Sequence, residues 1–314
     1  MVEYLGRIVV GVSLVLAVLA PAFANPATPG KPVARPPAAA FSAAEMTDWC
    51  RRLTTPLPGI RTADCLRAEL APAAIRSNKG FPLLARKYGK AADARGKTTR
   101  ILLIGGIHGD ELTASAIVFQ WLKFMPQDEA QRFEWMVVPV MNPDGLLSAP
   151  PRRTNANGVD LNRNFPTPGW EHDAQAYWIK RTKSDPRRFP GKRALSEPES
   201  RWLDEEMARF QPHVIISVHA PFGVLDFDGP AEPPKRFGRL VFNRVGVYPG
   251  SLGNYSGMHK NVPIITIELP NARAMPPPAE IKRIWDDMLT WIRLNVSPEK
   301  LAARNAERSG TTMR

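Results

Sequence analysis

The chain has no hydrophobic segment long enough to cross a membrane. Its longest apolar run, residues 8–20, is shorter than the roughly 20 residues that a transmembrane helix needs. No later run is longer, so we expect no stable membrane insertion of the mature protein. No cysteine directly follows this run, which argues against attachment as a lipoprotein. The chain also has no internal repeat, which excludes a repeat architecture.

The first 24 residues instead have the pattern of a secretory signal peptide. A short start containing Arg7 precedes the apolar run, and the A-x-A sequence at 22–24 marks a cleavage site. Glu3 weakens the positive start, so an uncleaved membrane anchor is the alternative. The pattern predicts export across the cytoplasmic membrane and a periplasmic location.

Cysteine is scarce: Cys50 and Cys65 are the only two, and both follow the predicted signal. An exported protein meets an oxidising compartment, so this pair predicts a disulfide. A loop of that size would contribute about 3 kcal/mol in the chain-entropy model. The alternative is a pair of reduced, buried thiols.

Acidic residues are outnumbered, with 42 Lys and Arg against 30 Asp and Glu, which gives a formal charge of +12. Such a charge attracts polyanions, including nucleic acids, membrane surfaces and acidic wall polymers. A solvated basic surface is the simpler interpretation. The sequence has no recognisable nucleic-acid-binding motif and export counts against one, so we expect no nucleic-acid partner.

Strands and helices alternate along most of the chain. Short apolar runs predict strands at 80–89, 100–106, 133–141, 213–219 and 262–269, and helical spacing predicts helices after residue 111 and at 281–292. This alternation indicates an α/β sheet with helices on both faces. We divide the chain into a signal peptide (1–24), a Pro/Ala-rich linker (25–40), an N-terminal extension with both cysteines (41–75), a catalytic domain (76–298) and a flexible tail (299–314).

Three polar side chains stand at or near the ends of predicted strands, namely His108, His219 and Glu268. Sites in α/β sheets form at the carboxyl ends of the strands. The pair His108 and Glu111 alone is weak, because one H-x-x-E among five histidines is unremarkable. With His219 it becomes two imidazoles and one carboxylate, a common ligand set for catalytic zinc. Glu268 beside such a site could act as general base and then general acid.

The stretch 151–170 concentrates arginine, asparagine and aspartate around a glycine turn. Arginine forks bind carboxylates in bidentate fashion, and an amide beside one adds a neutral donor. An aspartate can orient a metal-bound histidine. A polar surface loop is the alternative interpretation.

Four motifs in this order, "HGDE", "GVDLNRNFP", "SVH" and "ITIELP", resemble the zinc carboxypeptidase family. The resemblance covers about residues 76–295 and implies a mixed, twisted sheet flanked by helices. It implies one zinc per chain, with His108, Glu111 and His219 as ligands. It further implies amide hydrolysis by zinc-activated water, with Glu268 as general base and acid.

The same resemblance implies roles for the polar loop. Asn162 and Arg163 match the pair that binds the terminal carboxylate of the substrate. Arg153 matches the arginine that stabilises the developing oxyanion, and Asp160 matches the carboxylate behind the first zinc histidine. Digestive members of the family also have a mobile tyrosine that caps the substrate. Tyr248 and Tyr255 both lie near that position, and we include Tyr255 among the predicted substrate-binding residues.

Within the family, "SVHAPFGVLDFDG" and "YPGSLGNYSGMHKNVPIITIELP" are most similar to murein peptide amidases and related bacterial cell-wall carboxypeptidases. That similarity implies cleavage between γ-D-Glu and meso-diaminopimelate in peptidoglycan stem peptides. Asp226 and Asp228 could then bind the ammonium group of diaminopimelate, although aspartates in a loop are often only solvated.

Three other functions share parts of this pattern. An exported carboxypeptidase for ordinary peptides, or for another bond of the wall peptide, would use the same catalytic residues and differ in pocket shape. A non-catalytic binding module is disfavoured, because neither a metal ligand nor the base is missing. A nucleic-acid binder would rest on charge alone.

Overall fold

The computed structural model describes residues 41–89 and 98–300. The predicted signal peptide, the linker and nearly all of the predicted tail lie outside these residues. Among the described residues, no helix combines the length and apolar character that crossing a bilayer requires.

The helices and strands alternate as the sequence predicts. The helices are Ala43–Thr54 (α1), Thr62–Arg67 (α2), Leu112–Leu122 (α3), Asp128–Gln131 (α4), Pro143–Leu146 (α5), Trp170–Thr182 (α6), Pro198–Phe210 (α7) and Pro278–Asn295 (α8). The strands are Ala71–Arg76 (β1), Pro82–Tyr88 (β2), Arg100–Ile104 (β3), Glu134–Val138 (β4), Val214–His219 (β5), Val224–Asp228 (β6), Arg236–Phe237 (β7), Leu240–Phe242 (β8) and Ile264–Glu268 (β9). Two 3₁₀ turns, Leu161–Arg163 and Pro186–Arg188, and a π-helix, Gly253–His259, complete the described elements.

Within the described residues, nine strands form one mixed sheet in the order β1-β2-β4-β3-β5-β9-β6-β8-β7. The central strands β4, β3, β5 and β9 run parallel to one another. Strands β2 and β6 pair antiparallel on either side of this group. The predicted fold class, a mixed sheet flanked by helices, is confirmed.

Both faces of the sheet are covered, because successive side chains of a strand point to opposite sides. On β3, Ile101 and Leu103 belong to a core cluster with α3 and α8, whereas Leu102 and Ile104 belong to a second cluster with α7. The first cluster includes Trp135 stacked on Trp285, with ring centroids 5.4 Å apart. Burying each Leu or Ile side chain of these two clusters stabilises the fold by about 1.5–3 kcal/mol.

The N-terminal segment joins this same core. Helix α1 begins with a capping box in which Ser42 and Glu45 bond each other's backbone N–H groups. Cys50 and Cys65 form a disulfide that links α1 to α2, and both are buried in the cluster that contains α3 and α8. Strand β1 spans the boundary predicted between the extension and the catalytic domain and pairs with β2.

The parallel strands bring distant parts of the sequence to one edge. Strands β3 and β5 are neighbours, and β5 pairs with β9 so that His219 lies opposite Glu268. The chain leaving β3 reaches His108 shortly after Ile104. The carboxyl ends of all three strands therefore meet, which is where α/β sheets form their sites.

Candidate active site

His108, Glu111 and His219, hereafter the metal triad, converge at this edge. The Nδ1 of His108 lies 2.8 Å from Glu111 Oε1, and the Nδ1 of His219 lies 3.1 Å from Glu111 Oε2. The two Nδ1 atoms are 3.2 Å apart, and all three residues are buried. Among the described residues, this is the group of histidines and acids whose ligand atoms are close enough to share a metal ion.

The opposite nitrogens of both imidazoles fix the chemistry of this cluster. The Nε2 of His108 lies 3.2 Å from Asp160 Oδ1, and the Nε2 of His219 lies 3.0 Å from Ser217 Oγ. In the tautomer that binds a metal through Nδ1, the N–H on each Nε2 donates to these oxygens and each Nδ1 keeps a lone pair. Two lone pairs and a carboxylate facing one point repel each other without a cation, so the donor set suits zinc.

The backbone around the triad allows this close approach. Glu111 is the N-cap of α3, and the N–H of Ala220 donates to its Oε2 over 3.2 Å. Gly109 leaves room for the backbone at Gly145, because a Cβ at 109 would come within 2.3 Å of the Gly145 carbonyl carbon. A larger residue at 109 would displace the loop that separates the first two ligands.

Arg153 and Asp160 contact each other and two residues of the triad. The Nε of Arg153 donates to Asp160 Oδ2 over 2.9 Å, and its Nη1 lies 3.5 Å from Glu111 Oε1. Burial would raise the pKa of Asp160, but the charge of Arg153 and the hydrogen bond from His108 hold that pKa well below its usual range. Asp160 therefore stays ionised and orients His108.

Glu268 faces the triad from the end of β9, and it lines one cavity together with the triad. Its Oε2 is buried and has no hydrogen-bond partner among the described residues. Burial is the main cause that raises the pKa of this carboxyl. Such a group has a free oxygen with which to accept and return a proton.

The triad and Glu268 line a cavity of about 660 Å³, hereafter the metal cavity. Six further polar side chains named in the sequence analysis also line it: Arg153, Asn162, Arg163, Asp226, Asp228 and Tyr248. The cavity therefore contains both cationic and anionic side chains in addition to the triad.

Asn162 and Arg163, which the sequence predicts to bind the substrate carboxylate and which are hereafter named the carboxylate clamp, are held from several sides. The Oδ1 of Asn162 accepts from the N–H of Leu252 over 2.8 Å, and Arg163 Nη1 donates to the Asn162 carbonyl over 2.6 Å. The Arg163 guanidinium lies over the ring of Tyr248. Burial lowers the pKa of Arg163, and its Nε is buried without a partner among the described residues.

Asp226 and Asp228 lie two positions apart on β6, so their side chains share one face of the sheet. Burial, followed by the charge of Asp226, raises the pKa of Asp228 to about 6. Gly253 makes space for this carboxylate, because a Cβ at 253 would come within 2.3 Å of Asp228 Oδ2. A bound cation would relieve the repulsion between the two acids.

The inclusion of Tyr255 among the substrate-binding residues is corrected by the structure. Tyr255 is buried, stacks on Phe165 with ring centroids 5.9 Å apart, and donates its hydroxyl hydrogen bond to Asp204. It lines a different cavity, whereas Tyr248 lines the metal cavity. The reason is packing: the π-helix points Tyr255 into the apolar cluster beneath α7.

Two asparagines of the polar loop bond to the protein instead of lining the metal cavity. The Nδ2 of Asn155 donates to Glu197 Oε2 over 2.7 Å, and the Nδ2 of Asn164 donates to the carbonyl of Pro190 over 2.8 Å. These amides hold the loop against the segment before α7.

The metal cavity is also lined by Arg187 and Arg188. The sequence analysis does not single them out, because they belong to a separate polar turn without a motif.

Known proteins with similar sequences support this geometry. Residues 73–225 match the model of the zinc carboxypeptidase family. Murein peptide amidase A of Vibrio campbellii is 32% identical over 202 residues, which cover 62% of this chain and 77% of that protein. Murein peptide amidase A of Escherichia coli K12 is 31% identical over 176 residues, which cover 54% of this chain and 70% of that protein.

A solved structure supports the fold. Bovine thrombin-activatable fibrinolysis inhibitor, in complex with tick carboxypeptidase inhibitor, superimposes with a TM-score of 0.55 and 17% identity. The match covers 86% of this chain and 98% of that one. Together with the sequence matches and the metal triad, these findings show that the chain belongs to the zinc carboxypeptidase family and is a zinc-dependent hydrolase.

Proposed function

We propose that this enzyme cleaves the γ-D-Glu–meso-diaminopimelate bond of peptidoglycan stem peptides. The observation that carries the proposal is the composition of the metal cavity, which combines the triad with a carboxylate clamp and a pair of acids. Diaminopimelate has a carboxylate beside the scissile nitrogen and an ammonium at its far end. The names of the two bacterial relatives support the same substrate class.

In this proposal the two ends of diaminopimelate bind to opposite charges. The carboxylate clamp donates N–H groups to the carboxylate beside the scissile bond. Asp226 and Asp228 accept from the distal ammonium, which offsets their mutual repulsion. A stem that ends at diaminopimelate exposes the required carboxylate, whereas an added D-Ala converts that carboxylate into an amide and removes the charge that the clamp binds.

The catalytic roles follow from the positions of the side chains. His108, Glu111 and His219 would hold zinc, which when bound acts as a Lewis acid toward water and the scissile carbonyl. Glu268 accepts a proton from the attacking water at Oε2 and returns it to the leaving nitrogen of diaminopimelate. The Arg153 guanidinium, preorganised by Asp160, donates to the oxygen on which negative charge develops.

Export of the enzyme is part of the proposal. The disulfide between Cys50 and Cys65 supports an oxidising compartment, which agrees with the signal pattern of residues 1–24. A net charge of +12 favours approach to an anionic cell wall. We therefore place the mature protein in the periplasm.

The experiment compares three substrates with zinc or with a chelator. They are L-Ala-γ-D-Glu-meso-diaminopimelate, its D-Ala-extended form and an ordinary L-peptide, with products read by mass spectrometry. Chelator-sensitive release of free diaminopimelate is expected, and Glu268→Gln should lower kcat by about 10²–10⁴-fold. Cleavage of the L-peptide alone would contradict the murein substrate and support general peptide trimming.

A second measurement tests the acid pair. Asp226→Asn and Asp228→Asn should each weaken tripeptide binding, because either change removes charge next to the ammonium. Asp286→Asn, which removes a carboxylate from an exposed pair with Lys282 on α8, is the matched control. Tripeptide affinity that is unchanged in both cavity variants would refute the ammonium site.

A further inference from the structure

A second cationic group lies in the metal cavity, outside the carboxylate clamp. Arg187 and Arg188 both line the cavity and belong to the 3₁₀ turn Pro186–Arg188. The two arginines have different neighbours. Arg187 Nη2 donates to Asp110 Oδ2 over 2.7 Å, and Asp110 directly precedes the metal ligand Glu111.

Arg188 also lines the cavity and interacts with the clamp through its charge. That charge lowers the pKa of Arg163, after burial and the charge of Arg153. The Nε of Arg188 lies 3.5 Å from Asp185 Oδ2 within its own turn. Arg187 is therefore the arginine held by the residue that directly precedes a metal ligand.

The turn that carries Arg187 is fixed at both ends. Asp185 caps it by accepting from the N–H of Arg187 over 2.9 Å, and Trp178 Nε1 donates to the Asp185 carbonyl over 2.7 Å. At its other end, the N–H of Asp160 donates to the Phe189 carbonyl over 2.8 Å. The turn is thus tied to the same loop that orients His108, so the guanidinium has a defined place in the cavity.

Arg187 has donors to spare. A guanidinium has five N–H groups, and the contact with Asp110 uses one nitrogen. The side chain is 58% exposed, so water meets the remaining donors in the free enzyme. A substrate that fills the cavity would displace this water and strengthen a charged hydrogen bond to Arg187.

We propose that Arg187 is a specificity-determining residue that binds a free carboxylate on the amino acid supplying the scissile carbonyl. This inference rests on the proposed function. A γ-linked glutamate keeps its α-carboxylate free next to the scissile bond, whereas an ordinary α-linked peptide has only an amide there. With the leaving amino acid bound at the clamp, the acyl part lies on the other side of the scissile bond, and Asp110, next to the ligand Glu111, holds Arg187 at the wall of the same cavity. Arg187 therefore favours γ-linked over α-linked bonds.

The experiment removes each partner of the proposed contact in turn, the guanidinium from the enzyme and the carboxylate from the substrate. The enzymes are wild type and Arg187→Gln, and the substrates are L-Ala-γ-D-Glu-meso-diaminopimelate and its analogue in which the α-carboxylate of glutamate is a carboxamide. Arg209→Gln is the matched control, because it removes a guanidinium from the pairs with Glu205 and Glu206 on the exposed side of α7. kcat/KM is measured for each of these enzymes. Substrate affinity is measured by calorimetry on the same proteins with Glu268→Gln added.

The wild type and the Arg209→Gln control should prefer the acid to the amide by about 10-fold or more, the size expected for a charge-assisted hydrogen bond. Arg187→Gln should reduce this ratio to within about 2-fold, in kcat/KM and in affinity. An acid-to-amide ratio that is the same in wild type and Arg187→Gln would overturn the inference while leaving the proposed function intact. Wild-type enzyme that cleaves neither tripeptide but cleaves an ordinary peptide would overturn both.

Discussion

The guanidinium carbon of Arg163 lies 4.5 Å from the centre of the Tyr248 ring. The hydroxyl of Tyr248 donates to the Val245 carbonyl over 2.8 Å, so the ring is held at the cavity wall. Because the ring stacks on a buried guanidinium, Tyr248 orients Arg163. In the proposed function it therefore lies beside the substrate carboxylate. Tyr248 is thus the tyrosine to test as the substrate cap.

Tyr248→Leu should lower kcat/KM by about 2- to 30-fold, mainly through KM, which corresponds to the loss of a cation–π contact worth about 0.5–2 kcal/mol. Steady-state kinetics on the tripeptide would measure the change. Tyr255→Phe is the informative comparison, since Tyr255 lines another cavity. It should lower the free energy of unfolding by about 1 kcal/mol through the lost bond to Asp204 and leave kcat/KM within 2-fold. The reverse pattern would restore Tyr255 as the capping residue.

Zinc binding should depend on both histidines of the triad. Wild-type protein is expected to bind one zinc per chain and to melt at a higher temperature with zinc, because a ligand that binds only the folded state stabilises it. His219→Ala should lose both effects at micromolar zinc. His172→Ala serves as the control, because the His172 side chain is 86% exposed and outside the triad. Equal zinc content by elemental analysis in His219→Ala and wild type would contradict the assignment.

A buried acid away from the metal should make stability depend on pH. Glu199 is fully buried, and burial is the main cause that raises its pKa to about 7, with the charge of Asp144 contributing. Between pH 4.5 and 7 the folded state holds a proton that the unfolded state has lost, so stability falls as the pH rises. From pH 5.5 to 7.5 this group should lower the free energy of unfolding by about 2 kcal/mol.

Denaturant unfolding at both pH values would measure this effect as the difference between wild type and Glu199→Gln. The neutral amide cannot lose a proton, so the variant should lack this part of the pH dependence. Glu206→Gln, in an exposed pair with Arg209 on the same helix, is the matched control and should keep the wild-type slope. Parallel pH profiles for wild type and Glu199→Gln would show that Glu199 ionises normally.

Removing the disulfide should destabilise the fold without changing the catalytic rate. Cys50→Ala combined with Cys65→Ala should lower the free energy of unfolding by about 3 kcal/mol, the value for a closed loop of about 15 residues. The bond links α1 and α2 and is distant in the chain from the metal triad. Thermal melting with and without reductant, alongside kcat on the tripeptide, would test this. A melting temperature that reductant does not change in wild type would argue against the bond.

Much of the fold follows from local sequence patterns. Apolar runs at 100–106, 213–219 and 262–269 predict strands, and the structure has β3, β5 and β9 there. The pattern works because these strands are buried on both faces and therefore consist almost entirely of apolar residues. Their polar terminal residues, His219 and Glu268, are conspicuous for the same reason.

The order of strands in the sheet is a tertiary property. Strands β5 and β9 pair although β6 lies between them in the chain, and this pairing is what sets His219 opposite Glu268. No local pattern encodes it, because strand order depends on which faces the helices cover. The sequence suggests that these residues share a site through the chemistry of their side chains.

The sequence by itself determined the α/β class and the set of side chains suited to a metal and a base, because local periodicity and residue chemistry need no knowledge of distant contacts. Only the tertiary structure decided that Tyr248 rather than Tyr255 lines the cavity, and that Arg187 reaches it. Both outcomes depend on packing: Phe165 and Asp204 hold Tyr255 elsewhere, and Asp110 holds Arg187 beside the triad. Each of these partners is remote in sequence, so their proximity arises only when the chain folds.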